Sequence, residues 1–425
     1  MPPIAGLLRH RLFKNTASLL VVQVSSYVAP LVILPYLSRI LTTEHLGLIQ
    51  FATAFNWYFM TLVEYGFNLT ATRRIAIHRD DPDKVSEIFS SVMAAKALLT
   101  VVGFALMMAI VLAVPGLRVN AGLFAVTYLL VLGDLLFPIW LFQGLERMGN
   151  LVWRDVGAKM LSLMFIFAVV HSDGDYFWAA AFQAGSAFVA GVVGLVTVFV
   201  TTPVRWVRPS LRECLTDLRE GWPVFVSMLA AQLTGSTNIL IVGFRGGASG
   251  VAFYTAVYRL VVAVRALVTP AVTALYPHIS HMAHNSRETA VRFLRRYAVL
   301  LAAPFFAASL VLLFGAPLII RILYGSKYLA SIPLLKVLAF SPCLLALQHI
   351  FSTFFMLAFG YHKQWSRFTI QGTILNYLIL VPLVYLIWPP MGAAVTGIVI
   401  EVFMAVVTYV FYRRHVTEVP VAVAA

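Results

Sequence analysis

Apolar residues gather into twelve long stretches, at 16–40, 47–69, 89–114, 120–142, 152–171, 176–200, 222–244, 251–277, 297–323, 332–360, 368–388 and 391–412. Each is about 20 residues or longer, which at about 1.5 Å per residue crosses a hydrocarbon core of ~30 Å. In lipid an unpaired backbone amide or carbonyl is costly, so the pattern predicts helices rather than extended segments. Polar residues interrupt some stretches at helical spacing. Asn56, Met60, Glu64 and Asn68 recur at steps of four in the second, so one stripe of that helix faces something other than lipid. Pro30, Pro35, Pro138, Pro270, Pro304, Pro317, Pro342 and Pro382 lie inside stretches. Each removes a backbone hydrogen bond and serves either as a tolerated kink or as a point of bending, with the Pro30/Pro35 pair favouring bending.

The charges between the stretches alternate in sign of occupancy. Every second gap and both ends together hold 21 of the 31 Lys and Arg, whereas the other gaps hold five: Arg39, Arg118, Arg245, Arg321 and Lys327. Basic flanks resist translocation, so the basic side is cytoplasmic and both termini are expected there. Alkaline phosphatase fused after Asp173 should therefore be active and fused after Arg212 inactive. The opposite pair of activities would invert every loop.

Composition narrows the class. The chain is 61% hydrophobic and 11% charged, too little polar surface for a soluble protein of 425 residues. No gap is long enough for an inserted catalytic domain, and no nucleotide-binding or Ser/His/Asp pattern is present, so no enzyme is expected. The net charge of +14 falls on one membrane face, matching anionic lipid headgroups rather than nucleic acid. Cys214 and Cys343 predict neither a disulfide nor a thiolate metal site, and His278, His281 and His284 lack a carboxylate or cysteine complement, so neither metal nor cofactor is expected. The N-terminal stretch is too long for a cleaved signal and reads as a retained span. Seven of the eight tryptophans, Trp140 among them, fall at stretch ends or in loops, as interfacial anchors do, and Trp57 alone lies near a span centre.

The expected fold is thus an all-α integral membrane protein of about twelve transmembrane helices in two six-helix bundles, residues 1–210 and 211–425. A faint echo supports two halves: Gly47-Leu-Ile-Gln-Phe51-Ala-Thr-Ala-Phe55 opens the second stretch and Gly250-Val-Ala-Phe-Tyr254-Thr-Ala-Val-Tyr258 the eighth.

Charges inside the stretches are the candidate chemistry, because each costs roughly 2.5–3.5 kcal/mol at mid-bilayer on insertion scales and demands a partner or water. Arg259 and Arg265 lie within the eighth stretch, which contains no carboxylate. Tyr254, Tyr258 and Arg265 share one helical face, with Arg259 about 100° away. These arginines either line a cation-rich cavity or pair structurally. Lys96, Glu64 and Asp134 fall at similar depth in the cytoplasmic half and could form one ion-pair cluster. Glu401, midway along the last stretch, is the most isolated carboxylate, and a proton carrier or a structurally paired group are both open readings. Lys336 is near a span end and can snorkel. Trp57 reads as a packed core tryptophan.

Four segments carry a resemblance: Tyr27-Val-Ala-Pro30-Leu with Pro35-Tyr36-Leu37-Ser38-Arg39; Glu64-Tyr65-Gly66-Phe67-Asn68-Leu69-Thr70-Ala71-Thr72-Arg73 with Ile75-Ala76 and Arg79; Pro138-Ile-Trp140-Leu-Phe-Gln143-Gly144-Leu-Glu146-Arg147-Met148; and Tyr276-Pro277-His-Ile-Ser280. In these the chain resembles the Wzx-type O-antigen and polysaccharide flippases, which are grouped with MurJ-like lipid flippases and MATE exporters in the MOP superfamily. The resemblance is strongest over 15–165 and 225–285 and departs from the family at Ile77-His78, where another charged residue is common. It implies translocation of an undecaprenyl-diphosphate-linked oligosaccharide by alternating access across the bacterial inner membrane. It also implies a polysaccharide polymerase and a chain-length regulator as partners besides membrane lipids. The substrate-facing residues would be Arg259, Arg265, Lys96, Trp57 and Tyr258, and the proton-coupling carboxylates Glu64, Asp134 and Glu401. The alternative within the superfamily is a MATE-like antiporter of cationic drugs, whose cavity should be net acidic.

Overall fold

A computed structural model of the 425-residue chain describes residues 29–147, 149–235 and 237–416. Among these, nine helices are long and apolar enough to cross a membrane, and two more apolar helices are shorter, at Ala29–Ile40 and Val156–Val169. The described secondary structure is helical throughout, as the backbone's need for internal partners in lipid requires. Most of the first expected span, with Arg9, Arg11 and Lys14, lies outside the described residues, as does the end of the chain.

The contacts divide the chain into two compact units, the first reaching Leu240 and the second beginning at Ile241, with residues 34–39 grouped with the second. In the first unit α1 (Ala29–Ile40) precedes α2 (Thr43–Glu64), α3 (Phe67–Ile77), α4 (Pro82–Ala113), the short α5 (Pro115–Arg118), α6 (Ala121–Thr127), α7 (Leu129–Leu136), α8 (Ile139–Gly144), α9 (Gly149–Val169), α10 (Tyr176–Thr201) and α11 (Leu211–Gly235). The second holds α12 (Thr237–Ala266), α13 (Val268–Asn285), α14 (Arg287–Tyr324), α15 (Ile332–Leu338), α16 (Ser341–Phe351), a π-helical turn at Ser352–Leu357, α17 (His362–Leu386) and α18 (Pro389–Val416). α11 belongs to the first unit because it packs on α2, α3 and α4.

Helix starts follow the local sequence. Thr42 caps α2 by accepting from His45 N, Asp81 caps α4 by accepting from the amides of Asp83 and Lys84 with Pro82 at the first turn, and Ser286 caps α14 through Thr289 N. At one end of the first unit, Thr42 N also donates to Asp173 Oδ1 at 2.7 Å, and His45 stacks on Tyr176 at 4.1 Å.

Interruptions fall where hydropathy gives no hint. The expected span 47–69 breaks at Tyr65 and Gly66, both in the left-handed region (φ 48° and 83°). The break makes a seat for α11: Tyr65 stacks on Phe225 at 4.8 Å, and a β-carbon on Gly66 would stand 2.5 Å from Val224 Cγ1. Below it Arg74 pairs with the buried Asp217 of α11, which also accepts from Ser91 Oγ at 2.7 Å. Span 120–142 is divided into α6, α7 and α8, with Pro138 at the last break, and α12 turns at Gly247 (φ 67°). In contrast, Pro304, Pro317 and Pro382 sit inside continuous helices.

Two tryptophans sit differently from the expected pattern. Trp140, expected at the interface, is 0% exposed in the core of the first unit with Phe89 and Ile75, whereas the mid-span Trp57 is 44% exposed. Trp178, Trp206, Trp222 and Trp388 are exposed, in keeping with anchoring.

Candidate substrate-binding site

The intramembrane charges resolve into two clusters, one in each unit. In the first, α4 buries Lys96 to 1% exposure, and its Nζ donates to Asp134 O at 2.9 Å and Asp134 Oδ2 at 3.0 Å, both on α7. An ammonium group taken out of water needs a carboxylate and further acceptors, and Asp134 supplies both kinds. Glu64, at the last turn of α2, lies within electrostatic reach of Asp134 and Lys96 and accepts from Asn68 Nδ2 at 2.6 Å. The expected grouping of these three residues is therefore present, but Lys96 is enclosed inside the unit and not on a wall that a substrate could touch. The polar stripe of α2 is also turned inward, since Asn56 Nδ2 donates to Phe124 O and Thr127 Oγ1. Trp57 is the member of this set with an open ring face.

The second cluster is built on α12, α14, α16 and α18. Arg265 Nη1 donates to Glu401 Oε1 at 2.7 Å, and Ser341 Oγ donates to the same oxygen at 2.8 Å. Glu401 is thus paired, and the carboxylate that α12 lacks comes from α18. The pair is not sealed: the two side chains are 26% and 13% exposed. One turn or more outward on α12, Tyr258 stacks on Tyr254 at 5.5 Å and lies in the electrostatic neighbourhood of Arg265, Glu401 and Arg259. Arg259 interacts with Tyr258 and with Tyr324 of α14, whose hydroxyl donates to Ala256 O at 2.9 Å. The named residues thus bring two guanidinium groups and one carboxylate together, the carboxylate on Arg265.

Two members escaped the sequence reading. Ser341, the first residue of α16, is an ordinary hydroxyl in an apolar run, and nothing local ties it to a carboxylate sixty positions away. His349, in the last turn of α16, senses Arg265 electrostatically while its Nδ1 lies 2.9 Å from Thr353 Oγ1 in the π-turn. Its only signal was a histidine inside an apolar stretch. The three spaced histidines lie on α13: His278 packs edge-on to Phe293, and His281 neighbours Asn285.

Chemically, the second cluster offers guanidinium groups and phenol hydroxyls inside apolar helices, with the Arg265–Glu401 pair partly exposed. Guanidinium is suited to bidentate recognition of phosphate or carboxylate, and two such groups disfavour an organic cation.

Over residues 12–283 the chain matches the family described as polysaccharide biosynthesis protein. It is 31% identical over 402 residues to a protein of Escherichia coli (strain K12) provisionally named O-antigen transporter, covering 95% of this chain and 97% of that one. A protein of Shigella dysenteriae with the same provisional name is 28% identical, covering 88% and 93%. Among solved structures, an inward-facing multidrug resistance transporter of the MATE family, MOP superfamily, is similar with a TM-score of 0.72 and 15% identity, covering 95% of this chain and 96% of that one. That last likeness is one of fold.

Proposed function

The chain belongs to the polysaccharide biosynthesis protein family, and on that premise we propose that it is a flippase. It carries an undecaprenyl-diphosphate-linked oligosaccharide, the repeat unit of an O-antigen, capsule or exopolysaccharide, from the cytoplasmic to the periplasmic leaflet of a bacterial inner membrane by alternating access. The observation that carries this reading is the pair of arginines, Arg259 and Arg265, inside one apolar helix of the second unit, with Glu401 on Arg265 and that ion pair only partly buried. A sugar diphosphate is anionic and cannot cross hydrocarbon unaided, and arginines at depth offset the loss of its hydration. Trp57 presents an exposed ring on which a sugar face can stack. Both provisionally named O-antigen transporters support the substrate class, and with the family match they favour a transporter over a catalyst. Coupling to protons runs through the intramembrane carboxylates Glu64, Asp134 and Glu401. A polymerase and a chain-length regulator would receive the product.

The test separates this reading from export of cationic drugs. A strain deleted for the gene should lose surface polysaccharide, accumulate lipid-linked oligosaccharide on the cytoplasmic leaflet, and keep normal resistance to cationic dyes. At ~4 Å and an effective dielectric near 20, each contact of a cationic drug with an arginine costs about 4 kcal/mol, roughly a thousandfold in binding. Normal surface glycan together with dye hypersensitivity would overturn the assignment.

A further inference from the structure

Glu401 stands between two donors that share one of its oxygens. Oε1 accepts from both Arg265 and Ser341, while Oε2 is buried and takes no hydrogen bond from any described residue. A carboxylate so placed depends on Arg265 for its charge, and Arg265 is the same group that an anionic head group would need. We propose that Glu401 is a removable counter-ion: an anion that engages Arg265 displaces Glu401, and Glu401 takes up a proton, so that anion and proton bind together. The proposal rests on the reading of the chain as a carrier of a diphosphate-linked substrate.

With the carboxylate in place, a phosphate approaching Arg265 meets a neutral pair, in which the repulsion of the carboxylate offsets most of the attraction of the guanidinium. Once the phosphate holds the guanidinium, Glu401 keeps only the Ser341 hydroxyl, and its second oxygen is enclosed. A buried, unpaired charge is relieved by neutralisation. The proton comes from water and adds to the carboxylate. The Arg265–Glu401 ion pair is the only interaction broken. When the anion leaves, the proton returns to water and the pair re-forms.

The neighbours of Glu401 leave few other groups to carry that proton. Arg265 and Tyr258 of α12 and Ser341 of α16 act on Glu401 directly; around them stand Arg259, which interacts with Tyr258 and with Tyr324 of α14, and His349, which senses Arg265; Lys336 of α15 is exposed. The π-turn contributes no titratable side chain. Arginine, lysine and tyrosine do not change charge between about pH 5 and 8, so Glu401 and His349 are the two to separate.

The linkage has a direction. Binding coupling is reciprocal, so a proton held with the anion travels with it and is released with it. A proton that drives substrate out by exchange must instead bind when the substrate has gone. Glu401 does not meet that requirement, and the exchange carboxylate of the proposed flippase falls to Glu64 or Asp134.

Binding of farnesyl diphosphate to the full-length protein in phosphatidylcholine nanodiscs tests this between pH 5.5 and 8. Wild-type affinity should weaken with rising pH, by up to about tenfold per unit beyond the ligand's own titration, because one proton is linked to binding. Glu401→Gln should bind at least as tightly as the wild type at its lowest pH and show only the ligand's titration, while His349→Gln should keep the wild-type slope. Calorimetry of the wild type in two buffers of different ionisation enthalpy should give about one proton taken up per anion at a pH where the empty pair is ionised. A Glu401→Gln slope equal to wild type, weaker binding by that variant, or no proton uptake would overturn the counter-ion role. If the wild type then still restores surface glycan to a deletion strain, the flippase reading stands and only this inference falls. Failure to bind the diphosphate at any pH, with glycan unaffected by the deletion, removes both.

Discussion

Arg265→Ala should abolish surface polysaccharide, with a loss of transport of about tenfold to a hundredfold or more per molecule of inserted protein. A hydrogen bond to a charged group is worth about 1.5–3 kcal/mol, and each 1.4 kcal/mol is a factor of ten. The same substitution leaves Glu401 without its cation. Breaking a fully buried pair costs about 3–5 kcal/mol and an exposed one about 0.2–1. With side chains 26% and 13% exposed, this pair lies between, so some loss of protein level is expected beside the loss of transport. The two effects separate in the double variant Arg265→Ala/Glu401→Ala, which removes both charges together. It should recover membrane abundance but not polysaccharide. Arg265→Lys should retain part of the function, since the charge persists without the bidentate fork. The measurement is surface polysaccharide normalised to membrane protein in a complemented deletion strain. If the double variant restores polysaccharide, Arg265 serves only as the counter-ion of Glu401.

Gly133→Ala should be the most damaging single-methyl change in the first unit. On α7, a β-carbon at Gly133 would stand 2.4 Å from the carbonyl carbon of Ala187 and 2.5 Å from its oxygen, both backbone of α10. Gly191 of α10 faces back, where a β-carbon would meet Gly133 O at 2.5 Å. Helices in lipid associate through close packing of small residues, because lipid tails are as apolar as the side chains and burial alone does not draw helices together. Overpacking a core costs about 1–3 kcal/mol when side chains can shift, and here the obstacle is main chain. Asp134, next to Gly133 on α7, pairs with Lys96 of α4, so a displaced α7 also weakens that ion pair. Gly185→Ala on α10, where an added β-carbon meets nothing within 4 Å, is the internal control. In detergent, thermal unfolding followed by loss of the monodisperse species should show Gly133→Ala several degrees or more below wild type and Gly185→Ala unchanged. Equal stability of the two variants would show that α7 and α10 do not make this backbone contact.

How far the sequence reached can be judged from these same residues. Lys96, Asp134, Glu64, Arg259, Arg265 and Glu401 were all legible as unusual, because a charge in an apolar window stands out whatever surrounds it. Their pairing was partly legible. Lys96 and Asp134 lie on neighbouring spans 38 residues apart, and similar depth suggested a cluster. Arg265 and Glu401 are 136 residues apart, and nothing on either helix announces the other. The interfacial assignment of Trp140 and the mid-span position of Trp57 both described where each residue falls along a helix. Neither fixed which side of the helix meets a neighbour, and so Trp140 is buried and Trp57 is open.

Hydropathy and basic asymmetry by themselves determined that this chain is a helical, multi-pass membrane protein, with a cytoplasmic side expected from its Lys and Arg. They did so because insertion is a property of each segment alone, set by its length and apolarity against a fixed bilayer thickness. Tertiary structure alone decided the break at Tyr65–Gly66, the seating of α11 on the first unit, the backbone contact of Gly133 with α10, and the placing of Glu401 and Ser341 on Arg265. In lipid the outside of a bundle is as apolar as its inside, so the contrast that reveals a buried face in water is missing, and which faces meet is settled by close packing and polar pairing between distant helices.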